Sequence, residues 1–336
     1  MAQYLVTGAN GYIGSHLVQY LLDKEDDSYV VCVDKEDYQW HYDCNRQVNY
    51  KIDLSSEDEC QVMYNYFPSR YKFDGIFHLA ALSEVGGGIE KPFSYFDNNV
   101  NSTINLLKFL YTGYMLDSSW NPAPVVFASS GSVYNPRSHN TFYQDRTGYY
   151  NEDDPVGRDY EREISAYPLS KITCERLMQS FSREFDIPTT SLRFSNVAGR
   201  VSPLYENHDP ETHLIPKFMY NKGDTFQIFG DGTQIRDYIH VEDVCSAMYH
   251  ASVYMDQRGG YDVFNISNHY GFTTLQIVNK CKEILSKANR NSPKVKFVPP
   301  RTGDVNKMIL NNGKAIKILW WRPEKNIDDI ITSMLM

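Results

Sequence analysis

The chain reads as an α/β protein: a doubly wound parallel sheet followed by a smaller C-terminal α/β lobe. Three observations predict it. Short apolar runs alternate with longer amphipathic stretches through the first two-thirds of the 336 residues, as βαβ units with strands covered on both faces do. A glycine-rich turn, "VTGANGYIGSH", joins the first apolar run to the first amphipathic one. After Asn196 the alternation gives way to loop-like sequence and shorter runs.

Taken in order, "QYLVTG" is a strand, and Ile13, Leu17, Val18, Leu21 and Leu22 lie on one face of a helix that follows it. "YVVCVD", "GIFHLA", "PVVFASS" and "TTSLRFSN" are further strands. Between the last two, "SAYPLSKITCERLMQSF" is a helix with Pro168 in its first turn, where a missing N–H costs nothing. Beyond Asn196, "VAGRVSPLYENHDPETHLIP" is expected as loop and "FQIFGDGTQIRDYIHVEDV" as short strands. "FTTLQIVNKCKEILSKA" is an amphipathic helix, and the tail from "KVKFVPPRTGDV" is a strand, a loop and one closing helix. The expected division is residues 1–195, with 235–262, in the first lobe and 196–336 mainly in the second.

Gly8, Gly11 and Gly14 sit at the first strand-to-helix turn. Glycines there allow a tight turn and close backbone approach, while the helix N-terminus offers N–H groups to a pyrophosphate. A glycine triplet alone is weak evidence. Here Asp34 ends the next strand about twenty residues on, which completes the context of a Rossmann-like dinucleotide site. Asp34 can accept from ribose hydroxyls and repels a 2′-phosphate, so NAD is expected rather than NADP; Lys35 beside it pulls the other way. Asp53 and Leu54, after a further short strand, are placed to meet the adenine.

Tyr167 and Lys171 are four apart on one helix and therefore neighbours. A tyrosine titrates near ~10 in water. An ammonium beside it, with a positive nicotinamide, is expected to favour the phenolate and make Tyr167 a base. Ser130, at the end of "PVVFASS", can bridge this phenol and a substrate hydroxyl. The spacing of Tyr and Lys is common by chance; it gains weight from the glycine turn, Asp34 and Ser130 in this order.

Composition narrows the partners. The chain is 42% hydrophobic with a net charge of −9 and no long basic run, against nucleic acid or an anionic membrane as partner. No apolar run approaches the ~20 residues of a membrane span, and "MAQYLVTG" enters a strand without a signal-like core. The six cysteines, Cys32, Cys44, Cys60, Cys174, Cys245 and Cys281, are scattered without metal-ligand spacing. They are expected to be reduced thiols of a cytoplasmic protein, with no metal site. His78 and His240 are expected in the core or in hydrogen-bond networks.

At this point the sequence resembles the extended short-chain dehydrogenase/reductase group and, within it, nucleotide-sugar epimerases of the UDP-glucose 4-epimerase type. The motifs that carry the resemblance are "TGANGYIGSH", "HLAALSEVG", "KPFSYFDNNVNST", "SSGSVY", "YPLSK", "NHDPETHLIP", "RDYIHVEDV" and "PRTGDV". It implies catalysis by Ser130, Tyr167 and Lys171 through a transient 4-keto sugar. It implies NAD contacts from Tyr12, Ile13, Asp34, Asp53, Leu54, Leu79, Ala80, Ala81, Asn98 and Lys171. It implies that the second lobe holds the UDP-sugar through Asn196, Leu214, Phe229, Arg236, Arg301 and Asp304, with a sugar-size gate near Met308. Arginines suit this task, since each can fork onto diphosphate oxygens.

Two positions bear on the reaction. The 4,6-dehydratases of the group carry an Asp-Glu pair directly after the strand-end hydroxyl residue, where this chain has Gly131 and Ser132. The resemblance therefore favours an epimerase over a dehydratase, and Ser132 also counts against a decarboxylase. Another nucleotide-sugar epimerase or a reductase on the same fold is the alternative enzyme, and an NAD or sugar-nucleotide-binding protein the non-enzymatic one. The chain departs from the group at Ser83, where many members have Lys, and in the insert "NPRSHNTFYQDRTGYY", expected as a surface loop. Members of the group are often homodimers, which is the expected assembly.

Overall fold

The computed structural model describes residues 2–38, 45–83, 91–116, 122–134, 149–157, 165–204, 213–300 and 305–335. Their contacts group into two compact units. The first contains Met1–Val133, Glu163–Arg193 and Cys245–Phe264; the second contains Tyr134–Arg162, Phe194–Val244 and Asn265–Met336.

The first unit is built on β1 (Gln3–Thr7), β2 (Tyr29–Asp34), β3 (Gln47–Lys51), β4 (Gly75–His78), β5 (Val125–Ser130), β6 (Thr189–Phe194) and β10 (Tyr261–Ile266), in the order β10-β6-β5-β4-β1-β2-β3. β1 pairs in parallel with both β2 and β4, so the strand order reverses between β1 and β4. In such sheets the crevice beyond the strand ends at this reversal is the place where ligands bind.

Helices α1 (Tyr12–Lys24), α2 (Glu57–Arg70), α3 (Asn101–Leu116) and α4 (Ala166–Phe185) belong to this unit. Leu5, Val31, Val33, Ile76, Val125 and Phe127 from the strands are buried with Met63, Phe67, Leu106, Leu110, Cys174 and Met178 from α2, α3 and α4. The predicted strands and the Tyr167 helix are thus observed, because parallel strands buried on both faces leave long apolar runs in the sequence. α4 closes at Asp186, whose φ of 51° is the left-handed turn that ends many helices.

In the second unit β9 (Ile235–His240) pairs with β7 (Asn196–Ala198), β11 (Gly271–Thr273) and β13 (Lys307–Met308). β8 (Thr225–Phe229) and β12 (Lys294–Val298) form a separate parallel pair. Ile215, Phe218, Phe226, Ile228, Ile277, Ile284 and Ile331 form the core of this unit. They come from α5 (Leu214–Met219), β8, α7 (Thr274–Lys287) and α9 (Ile327–Ser333). Thr273 and Gln276 form a capping box at the start of α7, which holds its first turn.

Three local expectations are corrected here. The stretch after Asn196 is not all loop, since it holds the short strand β7 and the start of α5. "VEDV" is not strand but the first turn of α6 (Val241–Arg258). The tail closes with two short helices, α8 (Gly313–Ile318) and α9, rather than one. Trp320, between them, has a φ of 54°, a conformation that interrupts a helix.

Candidate active site

The glycine turn follows β1 and opens α1. Gly8 has a φ of +68°, and a Cβ there would stand 2.7 Å from the Ala80 nitrogen. The turn and the chain leaving β4 therefore pass each other in near contact, which only glycine allows. At Gly14 a Cβ would fall 2.1 Å from the Gly8 oxygen, so this glycine lets α1 lie directly on the turn. Gly11 is the N-cap of α1 and supplies no side-chain cap. A helix start without a side-chain oxygen over it suits an anion.

Tyr12 and Ile13 form the first turn of α1, both half-buried; the Tyr12 ring meets His16 edge-on at 5.2 Å. Asp34, at the end of β2, accepts from the Asn10 amide at 2.9 Å and the Glu36 amide at 3.1 Å. Burial raises its pKa, and those two amides act against the shift. A carboxylate anchored to the glycine turn and still half-exposed fits a ribose diol. Asp53 is half-buried and bonds Ser55, whereas the Leu54 side chain is packed in the core and its carbonyl accepts from Asn105. The cradle residues fit a dinucleotide.

A buried chain of hydrogen bonds backs the cradle. The Ala80 amide donates to Thr7 Oγ1, which lies 2.8 Å from His78 Nδ1; His78 Nε2 lies 3.0 Å from Thr103 Oγ1. The Thr103 hydroxyl donates to the Asn99 carbonyl. One neutral tautomer, with hydrogen on Nε2, satisfies the whole series. Burial and the Lys171 charge lower the His78 pKa to about 3, which agrees with a neutral ring.

Leu79, Ala80 and Ala81 run half-buried from the end of β4. Asn99 holds the next residue, accepting from the Leu82 amide at 2.7 Å and donating to its carbonyl at 3.1 Å. The same amide group donates to Ser170 Oγ on α4. Asn98 is half-buried and donates to Asn99. Both lie in a π turn, Phe96–Val100, that leads into α3. Such a turn points consecutive side chains in directions a regular helix does not.

Tyr167 and Lys171 occupy the first turns of α4 and are 7% and 4% exposed, too little for bulk water to set their charge. Lys171 Nζ donates to the Ala128 carbonyl at 2.7 Å and stands 6.0 Å from the centre of the Tyr167 ring. Burial lowers the Lys171 pKa to about 8, with Cys174 and Glu175 acting against the shift. Burial raises the Tyr167 pKa, a hydrogen bond with Ser130 lowers it, and Tyr95 raises it. Burial is the largest of these influences, so the net direction is upward.

Ser130 ends β5 and pairs with Ser132 at 2.9 Å. Gly131 has no side chain and Ser132 is held by Ser130, so neither supplies an acid–base group. Behind them Glu175, one turn beyond Lys171, accepts from Ser129 Oγ at 2.6 Å and from two nitrogens of Arg193 at 2.9 and 2.8 Å.

In the second unit Asn196 opens β7 and is exposed; it pairs with Tyr238 of β9. Arg236 lies two residues before Tyr238 on β9, half-buried, and pairs with Met308 of β13. Leu214 opens α5, and Phe229 ends β8; both are half-buried. Arg301 and Asp304 lie outside the described residues.

The structure thus brings together Gly8, Gly11, Gly14, Asp34, Ala80, Ser130, Tyr167 and Lys171 at one end of the first sheet. The supporting residues Thr7, Asn99, Ser129, Glu175 and Arg193 were not expected. Two carried a signal. Glu175 continues the four-residue spacing of Tyr167 and Lys171, and Arg193 is a charge inside the strand "TTSLRF".

A glycine cradle at the reversal point of a doubly wound sheet, with a half-buried Ser at the neighbouring strand end and a buried Tyr and Lys on the helix beside it, defines a class of dinucleotide-dependent proteins acting on hydroxyl groups. The chain belongs to the NAD dependent epimerase/dehydratase family, whose model matches residues 4–267. It is similar to the UDP-glucose 4-epimerase of Lactobacillus helveticus, 32% identical over 98% of this chain and 94% of the relative. It is similar to that of Streptococcus mutans at 30% over 98% and 94%. Among solved structures it resembles the Bifidobacterium longum UDP-glucose 4-epimerase in complex with NAD+ and UDP. The TM-score is 0.82 at 25% identity, over 99% of this chain and 97% of that one.

Proposed function

We propose that the protein is an NAD-dependent 4-epimerase of a UDP-hexose, UDP-glucose/UDP-galactose or their N-acetyl forms. The observation that carries this reading is the half-buried Ser130 beside the buried Tyr167 and Lys171, with Gly131 and Ser132 after Ser130 rather than a second acid–base pair. The relatives named UDP-glucose 4-epimerase support it along nearly the full chain.

Bound NAD would supply a reversible hydride acceptor for the sugar C4, so no net redox change would accumulate. Tyr167 removes the proton of the 4-hydroxyl and later returns it to the same oxygen. Its phenol is protonated in the ligand-free protein and becomes the base when a positive charge joins Lys171 beside its ring. Ser130 bonds the phenol and the sugar oxygen, keeping the proton path short. Lys171, fixed on the Ala128 carbonyl, stays charged at neutral pH. Between the two transfers the 4-keto sugar turns about its diphosphate, which Arg236 and Arg301 hold, with Asn196, Leu214, Phe229 and Asp304 around the nucleotide and sugar.

On this reading the first unit is the NAD domain. Gly8, Gly11 and Gly14 would meet the pyrophosphate of NAD, Asp34 a ribose, and Asp53 and Leu54 the adenine. Tyr12, Ile13, Leu79, Ala80, Ala81, Asn98 and Lys171 would be further NAD contacts. The second unit is the substrate lobe. The protein works in the cytoplasm, where its buried thiols stay reduced. Among the described residues no helix is long and apolar enough to cross a membrane.

It acts as a homodimer through α3 and α4, where Tyr111, Met115 and Leu169 are 39%, 63% and 40% exposed. Light scattering tests this assembly: twice the chain mass is expected, and a monomer mass at working concentration rejects it. The chemical reading is tested by Tyr167→Phe. We expect turnover of the UDP-sugar to fall by about 10²–10⁴-fold while NAD remains in the purified variant. Conversion at the wild-type rate would remove Tyr167 from the reaction.

A further inference from the structure

The last three residues of β5 are tied to three residues on one face of α4. Ala128 accepts from Lys171 and Ser129 donates to Glu175, while Ser130 faces Tyr167, whose pKa its hydroxyl lowers through hydrogen bonding. Tyr167, Lys171 and Glu175 are spaced by four, so consecutive turns of the helix meet consecutive residues of the strand. Of the three ties, only the Ser129–Glu175 one touches neither the reacting phenol nor its lysine. Its hydrogen bond is short, at 2.6 Å, and both partners are 4% exposed.

Glu175 is itself fixed. Arg193, on the next strand β6, forks onto both of its oxygens, with side chains only 6% and 5% exposed. A buried pair of this kind adds little net stability compared with apolar residues, yet breaking it by removing one partner is costly. Its consequence here is geometric. An arginine anchored in one strand aims a carboxylate from the helix at the hydroxyl of the neighbouring strand. The residue after that hydroxyl is Ser130.

We infer that Glu175 is a positioning residue: oriented by Arg193, it holds Ser129 against α4 and thereby sets the reach of Ser130 to the Tyr167 phenol. This rests on the role of Ser130 and Tyr167 given above. Among the described residues, the groups facing Tyr167 are Ser130 from β5, Tyr95 from the one-turn helix Pro92–Tyr95, and Lys171 from its own helix. Without the Ser129 tie, Ser130 drifts and its bond to the phenol weakens. Burial then holds the phenol proton more tightly.

The primary test is Ser129→Ala, which removes the tie and leaves the ion pair intact. Two readouts are taken beside the wild type: kcat and KM for a UDP-sugar, and the titration of Tyr167 followed by carbon-13 NMR of its ring, assigned through Tyr167→Phe. We expect kcat to fall about tenfold, as for one lost catalytic hydrogen bond of about 1.4 kcal/mol. KM should be unchanged, and the Tyr167 titration should move upward. An unchanged Tyr167 titration would overturn the inference, whether or not kcat falls. The NMR readout decides even if the wild type converts no UDP-sugar, which would count against the epimerase reading alone.

A matched pair guards against a merely structural effect. Glu175→Gln/Arg193→Met keeps an acceptor for Ser129, whereas Glu175→Leu/Arg193→Met does not, and both remove the two charges. The first should regain most of the kcat lost in the second. Equal kcat in both, with both folded, would show that the tie does not position Ser130.

Discussion

At the residue scale, Lys171 shows why a motif and its physics have to be read together. Its nitrogen is spent on the Ala128 carbonyl and lies 6.0 Å from the phenol ring centre, so it acts on Tyr167 as a nearby charge. Burial brings the Lys171 pKa down to about 8, so the ammonium is present below that pH and lost as pH rises through it. Replacing it removes the charge at every pH. Lys171→Met should lower kcat by about 10² or more at pH 7, and its residual activity should climb steadily through the alkaline range as the phenol titrates unaided. A pH–rate profile parallel to that of the wild type would contradict this. The pair was legible because four-residue spacing puts both on one helix face. The burial that raises the Tyr167 pKa was not, because it depends on how completely α4 is buried against β5, which no local spacing encodes.

At the scale of elements, the glycine turn meets backbone on two sides, the chain beyond β4 at Gly8 and the start of α1 at Gly14. Alanine is normally favoured over glycine within a helix, by roughly 1 kcal/mol. Gly14→Ala should nevertheless destabilise the protein, because its Cβ would meet backbone at 2.1 Å and backbone can give way only by shifting the turn. We expect a lower melting temperature and purified protein with less bound NAD; a variant as stable and as fully loaded as the wild type would contradict the packing described. The turn, its flanking strand and helix, and Asp34 were all readable, since the cue is continuous in sequence. Asn99 and Thr7 were not. Their partners, Leu82, Ser170 and His78, are distant in sequence and meet only through the parallel sheet.

At the scale of the molecule, the two units differ in how far their sequence announces them. The first has strands buried on both faces and helices long enough to show periodicity. The second relies on strands as short as Lys307–Met308 and helices such as Gly313–Ile318, too brief for either period to emerge. Its predicted loop and single closing helix were therefore corrected, while its amphipathic helix α7 was readable. The net charge of −9 does not oppose an anionic substrate, since arginines such as Arg236 set the local potential. The central claim is that this chain inverts the 4-hydroxyl of a UDP-sugar with NAD that it already holds. The most direct measurement is to incubate the wild-type protein separately with UDP-galactose and UDP-GalNAc, without added cofactor, and to resolve the 4-epimers chromatographically. Conversion of either is the predicted result and names the sugar class; conversion of neither, even with NAD supplied, would contradict the account.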